Sequence, residues 1–194
     1  LDVAANDKVD FMAFASRREW ARWLAKNHAD STGVWVRFFK KAGGTPSVSH
    51  AEALLVALCY GWIDGQLKGL DEQSWLHKFT PRRAKSIWSK RNRDLAEQLA
   101  AAGKMKRRGR EEMAAAKADG RWDKAYDSPS NMTVPADFLR ELAKNAEARS
   151  FFKTLNKANR YAIAWRLQTA KKPETRDKRM KTIIAMLGKG RAFH

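Results

Sequence analysis

The stretch GWIDGQLKGLDEQSWLHKFTPRRAKSIWSKRN, residues 61–92, decides the fold of this chain. Within it, WIDGQLK and SWLHKFT are rich in branched and aromatic residues and flank a turn-forming segment, Gly69, Leu70, Asp71 and Glu72. That pattern predicts the two antiparallel strands of a hairpin, and Pro81 ends the second. Upstream, Ser31, Thr32 and Gly33 introduce VWVRFFKK, which is too short for a helix and has strand composition. Gly43, Gly44 and Pro46 break it.

Helical signals surround these strands. Ser16 with Glu19, and Ser49 with Glu52, have the spacing of capping boxes, in which a serine hydroxyl and a glutamate satisfy the first free N–H groups of a helix. The first predicts a helix over residues 17–28, with Trp20, Trp23 and Leu24 on one core-facing side. The second predicts a helix carrying Leu54, Leu55, Leu58 and then Cys59 on an apolar stripe. From Ser86 onward the pattern is helical, with stops at Gly103 and Gly120. SPSNMTVP, residues 128–135, is polar and framed by prolines, so it marks a boundary. Short helices are expected over 136–145, 146–155, 157–171 and 174–187; in the last, Met180, Ile183, Ile184 and Leu187 form a packing stripe. The predicted class is α+β: a small antiparallel sheet covered by helices over residues 1–127, including a helical extension over 86–120. A linker, 128–135, and a C-terminal all-helical domain, 136–194, follow.

With 194 residues and 44% hydrophobic content, the chain can bury a core. Its net charge of +18 exceeds what solubility needs and points to acidic partners such as nucleic acid, an acidic membrane surface or an acidic protein. The excess is concentrated. Residues 78–121 hold fourteen Lys or Arg against five Asp or Glu, and residues 153–191 hold twelve against two. One cysteine, Cys59, excludes an internal disulfide and a multi-thiolate metal site, and its place on an apolar helix predicts an inert buried thiol. The opening LDVAANDKVDFMAFASRREW has no export-signal pattern, and no segment has the apolar length of a membrane span, so a cytoplasmic setting is expected.

Chemistry is expected first where Arg82, Arg83 and Lys85 precede a predicted N-cap, Ser86, because cationic side chains and free helical N–H groups converge on an anion. Trp88 and Lys90 follow within a turn and suit base stacking and phosphate contact. The alternative is that Trp88 packs against the sheet and the arginines pair with Asp64, Asp71 or Glu72. Farther on, Lys172, Arg176 and Arg179 align at i, i+4 and i+7 as a second cationic face, with simple solvation as the competing reading. Asp64, between Ile63 and Gly65, and His77 are the polar groups of a possible small-ligand pocket beside the hairpin. No catalytic partner for Asp64 is visible, and no two of His28, His50, His77 and His194 have the spacing of a metal pair. No cofactor is expected, and nucleotide-loop, nucleophile-elbow and zinc-protease motifs are absent.

The blocks EWARWL, VWVRFFKK, ALCYGWIDGQ, FTPRRAKSIWSKRN, DGRWDKAYDSP and NRYAIAWRLQTAKKPETRDKRMKTIIAMLGKG resemble, in this order, the YdeI/OmpD-associated or bacteriocin-protection family. The resemblance spans nearly the whole chain. It implies an N-terminal part similar to the YdhG or frataxin-like fold, an OmdA-type helical C-terminal part, and a link to bacteriocin tolerance and envelope defence. It brings no catalytic residue or cofactor. A frataxin-like fold would not by itself imply iron binding, since fold does not fix function. The leading expectation is therefore a basic accessory protein of bacterial stress or envelope defence, without enzymatic activity, that binds a polyanion, nucleic acid foremost. The rivals are an envelope- or protein-interaction module and a small-ligand protein or enzyme using Asp64 and His77.

Overall fold

The computed structural model describes residues 9–40, 44–128 and 131–194. Residues 1–8 of the opening read for export lie outside the described residues, as do Lys41 of the expected strand, Gly43 of its break, and Pro129 and Ser130 of the expected linker. The chain divides into two compact units: the segment ending at Trp88 joins Asn92–Lys124, and Ser89–Arg91 joins Ala125–His194.

The first unit is α+β. In chain order it comprises β1 (Phe11–Ala13), α1 (Arg17–Asn27), β2 (Val34–Phe39), α2 (His50–Cys59), β3 (Trp62–Gly69), β4 (Ser74–Pro81), α3 (Lys90–Ala101) from its third residue onward, and α4 (Arg107–Ala118). The hairpin forms as expected: β3 pairs antiparallel with β4, and β4 pairs antiparallel with β2. The sheet order is β1-β2-β4-β3, and β1 runs parallel to β2, so the sheet is mixed rather than purely antiparallel. All three residues of β1 are exposed, so no alternation of burial announces it.

Capping is as the serines require. The Ser49 hydroxyl accepts from the Glu52 N–H and the Glu52 carboxylate accepts from the Ser49 N–H, a complete box. At α1, Ser16 accepts from the Glu19 N–H, but Glu19 reaches back to the N–H of Ala15. Both helices then bury an apolar face with the sheet. Trp20, Leu24, Val36, Phe38, Trp62 and Phe79 are at most 1% exposed, and Trp23 packs against the same cluster from a half-buried position.

α4 docks on the end of α2. The Lys106 N–H donates to the Cys59 carbonyl at 2.9 Å, and Gly109 lies so close that an added Cβ would stand 2.4 Å from the same oxygen. Cys59 itself is buried, and burial pushes its thiol pKa up, away from the reactive thiolate. The helix expected to begin at Ser86 begins at Lys90 instead. Residues 83–86 close a tight turn: the Ser86 N–H donates to the Arg83 carbonyl, the Arg83 N–H to the Ser86 hydroxyl, and Lys85 takes a left-handed φ of +69°. With the serine hydroxyl turned back onto Arg83, it does not cap a helix ahead of it.

The second unit contains α5 (Ala136–Ala143), α6 (Ala146–Thr154), α7 (Lys157–Gln168) and α8 (Pro173–Gly188). Asn145 and Asn156 cap α6 and α7 through their side-chain oxygens, and Pro173 opens α8, where its missing N–H costs nothing. Phe138, Leu142, Ile163, Leu167, Met180, Ile183 and Leu187 are in its core, including three of the four stripe residues read from the sequence.

Arg176 on α8 bonds both carboxylate oxygens of Asp137 on α5. That bond holds the Asp137 carboxyl below its ordinary value. A depressed folded-state pKa gives stability that is present above the unfolded value of about 3.9 and is lost as pH falls through the folded one. The pair is partly exposed, so its worth is about 0.2–1 kcal/mol. Asp137→Asn is expected to lower the urea midpoint slightly at pH 7 and to leave it unchanged at pH 2; an equal drop at both would assign the effect to packing.

Candidate functional site

Asp64, His77 and His50 meet in the first unit. Asp64 pairs in register with Phe79, and His77 is two residues from Phe79 on β4, so by strand alternation all three share one face of the hairpin. It is the face of Val36, opposite His77 in register, and it packs toward α2. Between Asp64 and Leu67 the register shifts, with two residues of β3 opposing one of β4. This bulge turns the Gly65 carbonyl to within 3.3 Å of His77 Nε2. His50 occupies the first turn of α2, which brings its ring over the same spot.

The result is two imidazoles around one carboxylate. His50 Nε2 lies 3.1 Å from Asp64 Oδ2, and His77 Nε2 lies 3.9 Å from the same oxygen. The two rings are stacked, with centroids 4.4 Å apart and planes 13° from parallel. Phe38 and Phe79 flank them at 5.7–6.1 Å. Burial disfavours the charged carboxylate, but the His50 hydrogen bond, the adjacent imidazoles and the Asp64 backbone outweigh it and hold the carboxyl below its ordinary value. His77 is shifted downward, first by burial and then by His50, against the pull of Asp64 and the Gly65 carbonyl. Its Nδ1 is buried and has no hydrogen-bond partner among the described residues. The sequence singled out Asp64 and His77 but not His50, and no spacing along the chain announces the trio.

The expected anion seat at Ser86 is not assembled. Arg82 is 3% exposed, stacks 3.7 Å from the centre of the Trp88 ring and donates to the Ile87 carbonyl. Trp88, 1% exposed and 4.8 Å from Trp122, presents no face on which a base could stack. Arg83 and Lys85 are exposed on the turn, Ser86 gives its carbonyl to Arg121, and Lys90 pairs with Asp127 at 2.7 Å. Of the acids in the alternative pairing, Asp64, Asp71 and Glu72, the first is held by the imidazoles and the second by Arg37.

In the second unit, Lys172 is exposed just before α8, Arg176 is engaged by Asp137, and Arg179 donates to the Arg166 carbonyl at 2.7 Å. Arg179 therefore turns toward α7, where it joins Arg166, Lys178, Trp165 and Phe193 around a groove of about 460 Å³. The Arg166 guanidinium lies 3.7 Å from the centre of the Phe193 ring and also bonds the Ala162 carbonyl. Trp165 and Arg166 were missed in the sequence. Their adjacency on a helix facing KRMK was the available signal.

Residues 12–112 match the family model described as Domain of unknown function (DUF8412), which covers more than half of the chain. The chain belongs to that family. In this DUF8412 protein the matched span contains His50, Asp64 and His77 together. Residues 131–190 match the model described as Bacteriocin-protection, YdeI or OmpD-Associated (OmdA), which agrees with the resemblance of the C-terminal part. A YdhG or frataxin-like N-terminal part finds no support in these matches. No curated protein and no solved structure matches the chain.

Proposed function

We propose that this protein binds a polyanion, nucleic acid being the favoured class, through the basic groove of its OmdA-like unit. The observation that carries this reading is the company of Arg166, Lys178 and Arg179 with Trp165 beside one open groove. Cations alone keep a helix soluble; cations fixed next to an aromatic face suit a backbone of phosphates carrying flat bases. Arg166 and Arg179 are both tied to backbone carbonyls of α7, so they lose less side-chain freedom when a ligand arrives. Lys172 and Lys178, exposed on α8, extend the positive field. A role in bacteriocin protection or envelope defence, in a reducing cytoplasmic setting, is consistent with the OmdA match and the free buried Cys59 and belongs to the same proposal.

Titration of a labelled single-stranded oligonucleotide by fluorescence anisotropy, over a series of salt concentrations, tests it. Each engaged phosphate contributes a slope of about −0.7 in log K against log salt on single strands. Three or four cations acting together predict a slope of roughly −2 to −3. Lys178→Ala with Arg179→Ala should flatten the slope by roughly 1.4 and weaken all sequences alike. Trp165→Ala, with its fold verified by circular dichroism, should cost about 1–3 kcal/mol on single strands and little on duplex. Binding to anionic vesicles without binding to DNA or RNA would hand the groove to an acidic membrane, and absence of all three at low salt would end the polyanion reading.

A further inference from the structure

We propose that His50, Asp64 and His77 form a binding site for a divalent first-row transition ion, with zinc the ion that best suits the donors. The inference is independent of the polyanion reading, since these groups lie in the other unit and present a carboxylate. Two imidazoles and one carboxylate are a donor set such ions take readily, in three-ligand sites that leave a position for water.

The distances fit. With zinc–nitrogen and zinc–oxygen bonds of about 2.0–2.2 Å, donors at a tetrahedral angle stand about 3.3–3.6 Å apart. The separations of 3.1 and 3.9 Å from Asp64 Oδ2 to the two Nε2 atoms bracket that value, and one donor atom from each residue lies within 4.8 Å of the others. With an ion bound, each imidazole gives its Nε2 lone pair and carries its proton on Nδ1, in place of the Nε2–H that now faces Asp64 or Gly65. His77 Nε2 makes only a long 3.3 Å contact with the Gly65 carbonyl, while His50 and Asp64 are each about a quarter exposed. That exposure provides the entry path and the open coordination position.

The charges agree as well. Asp64 supplies a carboxylate that faces both imidazole nitrogens. In a chain of net charge +18, a cation site also needs shelter from nearby lysines. Lys78, the neighbour of His77, follows the strand alternation to the opposite face, where its ammonium lies 5.7 Å from the centre of the Trp35 ring. Glu52, two residues along α2 from His50, is held in the capping box with Ser49 and is not a competing ligand.

The test is calorimetric titration of zinc chloride into the full chain after removal of bound metal with a chelator. A single site per chain is expected. His50→Ala and Asp64→Asn should each weaken it by more than the roughly 10–100-fold that changes to outer-shell partners cost. His28→Ala should leave it unchanged, because the His28 ring is bonded to the Leu24 carbonyl and lies tilted against the Tyr60 ring, 5.0 Å away. Should a variant fail to fold, the intact protein still decides: with four histidines in the chain, zinc must shift the imidazole NMR signals of His50 and His77 and not that of His28. Absence of stoichiometric binding, binding that survives both substitutions, or shifts confined to His28 and His194 would overturn the assignment.

Discussion

Replacement of Trp20 by alanine is expected to cost about 3–5 kcal/mol of stability, a large part of the 5–15 kcal/mol typical of a folded domain. Trp20 has no exposed surface and touches three other aromatic rings: Phe14 at 5.0 Å, Trp23 in a stack at 5.4 Å and Phe79 edge-on at 5.4 Å. Its indole N–H also donates to the Ala53 carbonyl at 3.0 Å, which ties α1 to α2. Truncation therefore opens a cavity between two helices and the sheet and removes the indole bond that joins them. Trp20→Phe separates the two contributions: it restores most of the volume and forfeits the hydrogen bond, for an expected loss of about 1–3 kcal/mol. Urea unfolding of both variants, with the slope against denaturant checked for constancy, measures this. A loss below about 1 kcal/mol for Trp20→Ala would mean that α1 is not a structural part of the core.

The reason Trp20 was legible in the sequence also explains what was not. Trp20, Trp23 and Leu24 repeat on one helical face behind a serine cap, so local spacing alone points them inward. The hairpin carried the same kind of information, since WIDGQLK and SWLHKFT differ in composition from everything around them. β1 did not: it is three exposed residues, and it is a strand because β2 offers it a parallel edge. At Ser86 a local signal misled. The serine hydroxyl that looked like a helix cap is turned back onto Arg83, and the adjacent cations that looked like an anion seat are divided between a buried stack on Trp88 and an exposed turn. A run of charge in sequence does not reveal which guanidinium is buried.

The trio around Asp64 failed for the opposite reason. Its members come from α2, β3 and β4, separated by 14 and 13 positions, and the bulge after Asp64 that brings Gly65 to His77 leaves no mark in composition. Hairpin pairing would have put Asp64 and His77 on one face had the register been known. Only the packing of α2 on the sheet adds His50. Sequence reasoning finds residues that act through their neighbours in the chain; it misses those whose partners are supplied by the fold.

Gly109→Ala is the second change with a large expected effect, and its sign depends on two opposed magnitudes. In an exposed helix the substitution would stabilise by about 1 kcal/mol, because alanine gives up less backbone freedom. At this position the new methyl would stand 2.4 Å from the Cys59 carbonyl oxygen, 2.8 Å from that of Leu58 and 2.8 Å from Met105 Cε. The methionine can swing away. The two carbonyls cannot, because they belong to the last turn of α2, and the Cys59 oxygen also receives the Lys106 N–H that anchors the start of α4. Relief requires α4 to move off α2, at a cost of about 1–3 kcal/mol or more for overpacking, together with loss of the anchoring bond. Repulsion should win, with a net destabilisation of about 2 kcal/mol. Hydrogen exchange in the same variant should show faster opening along α4, with the β2–β4 ladder still protected, because the strain is local to the α2–α4 contact. A variant as stable as the parent would mean that α4 can slide along α2 at no cost, and that the close approach at Gly109 does not constrain the fold.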